Sequence, residues 1–166
     1  PANENHGIVF KRTDIEKNNL IKANFKNVSS TKLCTTLENE FGVKVSTVEH
    51  LLAALYFAEI DNVLIEINNY EVPIMDGSAK SFLDVLKNEK VKTFTEKGIF
   101  LKVLEKIELV KGGRSISLEP GDDTLEVEFQ LNYGNKIIGK QKNTIKFIKD
   151  NLEDITSSRT FCLFND

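Results

Sequence analysis

Ser46-Thr47-Val48-Glu49-His50-Leu51, which opens the apolar, alanine-containing run Leu51 to Ala58, is the stretch on which the reading of the fold turns. Ser46 and Glu49 stand at the capping-box spacing, in which the serine side chain bonds the N3 amide and the glutamate reaches back to the N-cap amide. The spacing predicts a helix that starts here and runs through the apolar segment. Upstream the pattern has a two-residue period. Gly7 to Arg12 and Leu20 to Val28 are β-rich, with Ile21, Ala23 and Phe25 on one face, so the two are expected to pair. Leu33 to Leu37 and Phe41 to Val45 suit short strands at a sheet edge.

Downstream, Val63, Ile65 and Ile67 alternate through Asn62 to Asn68, and the segment to Asp76 contains Pro73 and ends at Gly77, as a turn does. A second helix is expected from about Ala79 to Lys87, with Phe82, Val85 and Leu86 on one face. The polar stretch Lys90 to Gly98 marks a domain boundary, giving domains 1–96 and 97–166. Beyond it, Ile99 to Val110, the Gly112-Gly113 turn and Arg114 to Leu118 predict a hairpin. Thr124 to Leu131 and Asn143 to Phe147 are strand candidates, and Lys149 to Ser158 reads as a helix capped by Asp150 or Asn151. The order of strands, helix, strand, helix and strands again gives an α+β class, one unit followed by a truncated second.

The chain has 166 residues, 40% of them hydrophobic and 28% charged, with a formal net charge of -3. Without a basic field, a nucleic-acid partner is disfavoured, and none is expected. No apolar run has membrane-span length and no charged segment with an apolar core opens the chain, so no transmembrane segment and a cytoplasmic location are expected. Cys34 and Cys162 are the only cysteines, free thiols without the CxxC spacing of a zinc ribbon. Pro1 in first position, and the stop at Asp166 just after the apolar run Phe161 to Phe164, read as cut ends.

Only two histidines are present. His6 lies in the polar stretch Asn3-Glu4-Asn5-His6 and reads as solvated. His50 follows Glu49 in the first turn of the expected helix, and two readings stand side by side. In one, His50 is a metal ligand and Glu49 a general base acting on a metal-bound water. In the other, Glu49 is the N3 member of a capping box and His50 is a partly buried helix-start residue, which local chemistry favours. No His-x-x-x-His or His-x-x-x-Asp pair exists within the 166 residues, so three zinc ligands cannot be assembled from a motif here. Asp76-Gly77 reads as an active-site loop or a turn with a helix cap, the cap being favoured. Thr160 could donate to a substrate oxygen, although a hydroxyl bonded to a nearby carbonyl is the default, and Phe161 would ordinarily be core. Cys34 as a nucleophile lacks a neighbouring histidine to activate it.

Several strings, in order and at matching spacing, resemble the UDP-3-O-acyl-N-acetylglucosamine deacetylases. They are Lys11-Arg12-Thr13-Asp14, Leu33-Cys34-Thr35-Thr36, Val45 through Leu55, Ile60-Asp61-Asn62, Val72 through Ala79, and Ser158-Arg159-Thr160-Phe161. The resemblance covers essentially the whole chain. It implies two similar α+β domains, each a five-stranded sheet with two helices, the helices packed between the sheets, with the first strand and most of the second domain missing here. It implies a zinc-dependent amide hydrolase that removes the N-acetyl group from UDP-3-O-(3-hydroxyacyl)-N-acetylglucosamine in lipid A (lipopolysaccharide) biosynthesis.

In that resemblance His50 matches a zinc ligand, Glu49 the general base, Thr160 the hydroxyl that stabilises the tetrahedral oxyanion, and Phe161 a substrate-contacting aromatic. Leu33 and Cys34 match the substrate-binding loop beside the metal. Zinc would polarise the amide carbonyl and acidify its water while Glu49 takes the proton. The family's other two zinc ligands and its cationic histidine have no counterpart in these residues, so the chain alone is expected to be inactive. A non-catalytic ligand- or partner-binding domain of similar ancestry is the alternative.

Overall fold

The computed structural model describes residues 1–95, 101–122, 124–134, 136–148 and 151–161. The chain forms two compact units, Pro1–Glu96 with Thr156–Asp166, and Lys97–Ile155. Residues from Thr156 onward thus group with the first unit rather than with the segment that precedes them. The class is α+β.

In the first unit, β1 (Ile8–Arg12) is the centre of a sheet, antiparallel to β2 (Leu20–Lys22) on one side and parallel to β6 (Val63–Ile67) on the other. Val9 and Phe10 are consecutive, so they point to opposite faces of β1, and both are buried, unlike the alternating pattern of a half-solvated strand. Phe10 faces Ile21 and Ile65 across the two ladders. A second sheet is built from β3 (Val28–Ser30), β4 (Thr36–Glu38) and β5 (Lys44–Val45), all antiparallel. Two three-stranded sheets therefore stand where the resemblance implied a single five-stranded one.

The helices are α1 (Glu49–Phe57) and α2 (Lys80–Lys87). One core joins Phe10, Ile21, Leu37, Val45, Val48 and Val72, with Leu51, Leu52 and Phe82 packed against it. A second joins Ala54 of α1 to Leu83 of α2 and to Ala79, the residue that precedes α2, and the two alanines let the segments approach closely. Fully burying a side chain such as Phe10 is worth about 1.5–3 kcal/mol. Arg12, the one buried cation among the described residues, is paired on all sides. Its Nε and Nη2 bond Asp14 at 2.8 and 2.5 Å, and Nη1 donates to the Lys44 carbonyl at 2.8 Å, which ties β1 to β5. The hydrogen bond to Asp14 raises the Arg12 pKa, and the same bond lowers that of Asp14.

Three expectations are corrected. Phe25 does not continue the Ile21 face. The Asn24 side chain accepts from the Lys26 amide and turns the chain into a one-turn 3-10 helix (Phe25–Asn27), leaving Phe25 exposed. Val85 lies outside the buried face of α2, which is formed by Leu83 with Phe82 and Leu86; Val85 is 64% exposed.

The capping box also does not form. Ser46 lies in a parallel bridge with Glu71, its amide donating to the Tyr70 carbonyl at 2.7 Å and its carbonyl accepting from Val72 at 3.0 Å. Its hydroxyl bonds that of Thr36 at 3.0 Å. The amide and the hydroxyl that the box requires are therefore both committed, and α1 begins three residues later, at Glu49. Thr47, just before that start, has φ +58°, a left-handed conformation in which a β-branched residue is an outlier.

In the second unit, β7 (Ile107–Lys111) and β8 (Arg114–Leu118) form an antiparallel hairpin through Gly112-Gly113, both at positive φ as such a turn demands. β9 (Glu126–Asn132) pairs antiparallel with β10 (Lys140–Lys146). Every residue of β7 and β8 is exposed, Leu109, Val110 and Ile116 included. The helix α3 (Leu152–Ser157) spans the boundary between the units; of its expected start, residues 149 and 150 lie outside those described, as do 99 and 100 of the expected hairpin and Cys162. No helix among the described residues is long and apolar enough to cross a membrane.

Candidate functional site

Two hydrogen-bonded groups in the first unit hold the residues singled out by the sequence. The first surrounds the start of α1. Glu49 Oε2 accepts the Thr35 backbone amide at 3.0 Å, and the Val48 amide points back at the Thr35 carbonyl at 3.5 Å. Thr35 thus docks the loop Leu33-Cys34 on the helix N-terminus, and His50 is the next residue of that first turn, half-buried. Leu33 has φ +64° and is 78% exposed, an apolar side chain held out in solvent by a backbone that disfavours it. Cys34 is a free, half-buried thiol whose Sγ lies 3.8 Å from Thr36 Oγ1.

Glu49 therefore acts as a long-range clasp on a loop rather than as a box partner of Ser46. Only one of its oxygens is used: among the described residues, Oε1 has no hydrogen-bond partner. A carboxylate fixed through one oxygen and open at the other is oriented yet still able to take a proton.

The second group surrounds the start of α2. Asp76 Oδ1 accepts from the Ser78 amide at 3.2 Å and the Ser78 hydroxyl at 2.7 Å, and Ser78 Oγ accepts from the Lys80 amide at 3.2 Å. Asp76 thus closes a turn that leads into α2, while the residue at the helix N-cap, Ala79, has no side-chain cap bond. The other Asp76 oxygen, Oδ2, accepts from Nη2 and Nε of Arg159 at 3.1 and 3.3 Å. The Ser78 hydroxyl foremost, then Arg159, lowers the Asp76 pKa from 3.8 to about 2. Next to this pair the Thr160 amide donates to the Gly77 carbonyl at 2.9 Å. A side chain at Gly77 would meet the Thr160 methyl at 3.6 Å, and Gly77 has φ +81°. The Thr160 hydroxyl has no partner among the described residues, so the default bond to a nearby carbonyl is not made. Phe161 is half-exposed, at 51%, rather than core.

The two groups share an origin. The bridge Ser46↔Glu71 is parallel, so the chain leaves it in the same direction toward Glu49 and toward Asp76. Thr47 Oγ1 donates to Glu71 Oε1 at 2.8 Å and reinforces the junction. No hydrogen bond joins Thr160 to Glu49 or His50 among the described residues. Nor do three His, Cys, Asp or Glu side chains converge there as a metal-ligand set. His50 offers one imidazole and Glu49 is partly committed to Thr35, so the described residues do not by themselves fit a complete zinc site. Sequence reasoning missed the Thr35 amide and the Asp76–Arg159 pair. A backbone donor leaves no mark in a sequence, whereas Asp76 and Arg159 both lay in strings already noticed.

The whole chain, residues 1–166, matches the family model described as LpxC, UDP-3-O-acyl N-acetylglycosamine deacetylase. Among curated relatives, a UDP-3-O-acyl-N-acetylglucosamine deacetylase of Nautilia profundicola is 38% identical over 162 residues, 97% of this chain and 54% of that protein. Proteins of the same name from Nitratiruptor sp. and Pseudoalteromonas translucida are 39% and 34% identical, covering 97% and 100% of this chain and 53% and 55% of theirs. The chain spans about half the length of the curated relatives it matches. With a match that runs from the first residue to the last, the chain belongs to the UDP-3-O-acyl N-acetylglycosamine deacetylase family.

Proposed function

We propose that the protein to which this chain contributes is a zinc-dependent hydrolase. It removes the N-acetyl group of UDP-3-O-(3-hydroxyacyl)-N-acetylglucosamine, releasing acetate and the free amine, as a cytoplasmic step of lipid A biosynthesis. The observation that carries the reading is the family match over residues 1–166, shared with relatives whose name states that reaction. The geometry of Glu49 supports it, because a carboxylate held by the Thr35 amide through one oxygen keeps the other for proton transfer.

In this reading His50 is the ligand this chain would offer to zinc, and the remaining ligands and a cationic histidine come from the rest of the protein. Zinc, when bound, supplies Lewis acidity toward the amide carbonyl. The residues of this chain do the following. Glu49 Oε1 takes the proton of the attacking water and returns it to the leaving amine. The Thr160 hydroxyl donates to the oxyanion of the tetrahedral intermediate, where a preorganised donor is worth more than in water. Leu33, Cys34 and Phe161 line the path of the UDP-linked acylated amino sugar; the exposure of Leu33 and Phe161 is consistent with substrate contact.

The test is acetate release from that substrate by the full-length protein. Turnover should stop when the metal is chelated and return with added zinc. A zinc-loaded, folded protein that releases no acetate would overturn the reading.

A further inference from the structure

We infer that Asp76 and Arg159 are positioning residues for catalysis, forming with the Gly77–Thr160 backbone bond a strap that fixes where the Thr160 hydroxyl points. The inference rests on the deacetylase reading, since it assigns the strap a purpose through Thr160. Two consecutive residues of one segment are anchored on two consecutive residues of another: Arg159 on Asp76 by side chains, Thr160 on Gly77 by backbone. Asp76 is itself immobilised, because Oδ1 is held by Ser78 at the start of α2, leaving Oδ2 for the guanidinium. The turn into α2 needs only Oδ1. Among the described residues the second oxygen serves Arg159 alone.

The third contact concerns Thr160 itself. Its methyl lies on the Gly77 side, and its hydroxyl, on the other branch of the same carbon, is left without a partner among the described residues. With the Thr160 amide bonded to Gly77 and Arg159 bonded to Asp76, the backbone that carries the hydroxyl is held in one place. Arg159 has 67% of its side chain exposed, so little of its contribution comes from burial. An exposed ion pair adds little to stability as a rule, which leaves placement as the effect to look for.

The experiment uses the full-length, zinc-loaded protein with Arg159→Gln, Arg159→Lys, Thr160→Val and the double variant Arg159→Gln/Thr160→Val. Unfolding temperature and metal content are measured on each. Arg159→Gln should fold normally and lose about 10- to 100-fold in kcat with KM nearly unchanged, the cost of a displaced catalytic donor. Arg159→Lys, which keeps the charge, should recover part of that loss. The double variant should be no slower than Thr160→Val, because Arg159 acts only through the hydroxyl already removed.

Losses that multiply in the double variant would overturn the inference. So would normal kcat in Arg159→Gln while Thr160→Val is impaired. Normal turnover in both Thr160→Val and Glu49→Gln would instead remove the catalytic roles given to those two residues, and the strap's purpose with them.

Discussion

Glu49 and Asp76 are two carboxylates at two helix starts in the same unit, and they are used in opposite ways. Asp76 spends both oxygens on protein, Oδ1 on Ser78 and Oδ2 on Arg159, and its pKa falls to about 2. Glu49 spends one oxygen, on a backbone amide of a distant loop, and keeps the other. A carboxylate saturated with donors is a poor proton acceptor, because each bond favours the charged form. The difference separates a carboxylate spent wholly on the fold from one with an oxygen left open, a distinction that neither residue's place in the sequence reveals.

The contrast predicts how replacements divide between stability and chemistry. Glu49→Ala leaves the half-buried Thr35 amide without its partner and should cost about 1–3 kcal/mol of stability. Glu49→Gln keeps an acceptor oxygen for that amide and should lie close to wild type. Thermal unfolding of the two variants checks this, and equal stabilities would mean that the Thr35 bond does not hold the loop.

A smaller effect is expected in acid at Asp76. Its folded pKa lies below the ordinary value, so the interaction contributes in full above about pH 4 and is lost as pH falls through about 2. The Arg159 Nε–H resonance should follow one titration with a midpoint near 2, absent in Asp76→Asn. A midpoint near 4 would show that Asp76 is not held as described.

Much of this fold was legible in the sequence because periodicity reports burial. Ile65 and Ile67 alternate and pack on the core, and the apolar run after Glu49 is a helix as its composition required. Val85 was misplaced because position on a short helix is set by what the helix packs against, here Ala54 of α1. The capping box failed for a non-local reason: the Ser46 amide is taken by Tyr70 through a bridge that local spacing cannot foresee.

At the candidate site, residue types were readable but their conformations were not. Leu33, Thr47 and Met75 all adopt positive φ without the glycine that would announce it. Such outliers persist only where surrounding structure enforces them. At Thr47 that enforcement is the Ser46–Glu71 bridge and the bond to Glu71, contacts between segments far apart in the chain.

The central claim is that Glu49 is the base, and it is tested most directly by turnover of the full-length Glu49→Gln protein at zinc content and unfolding temperature matched to wild type. An amide cannot accept the proton, so deacetylation should fall by about 10²- to 10⁴-fold. Turnover near that of wild type, with zinc retained, would leave Glu49 as nothing more than the clasp on Thr35.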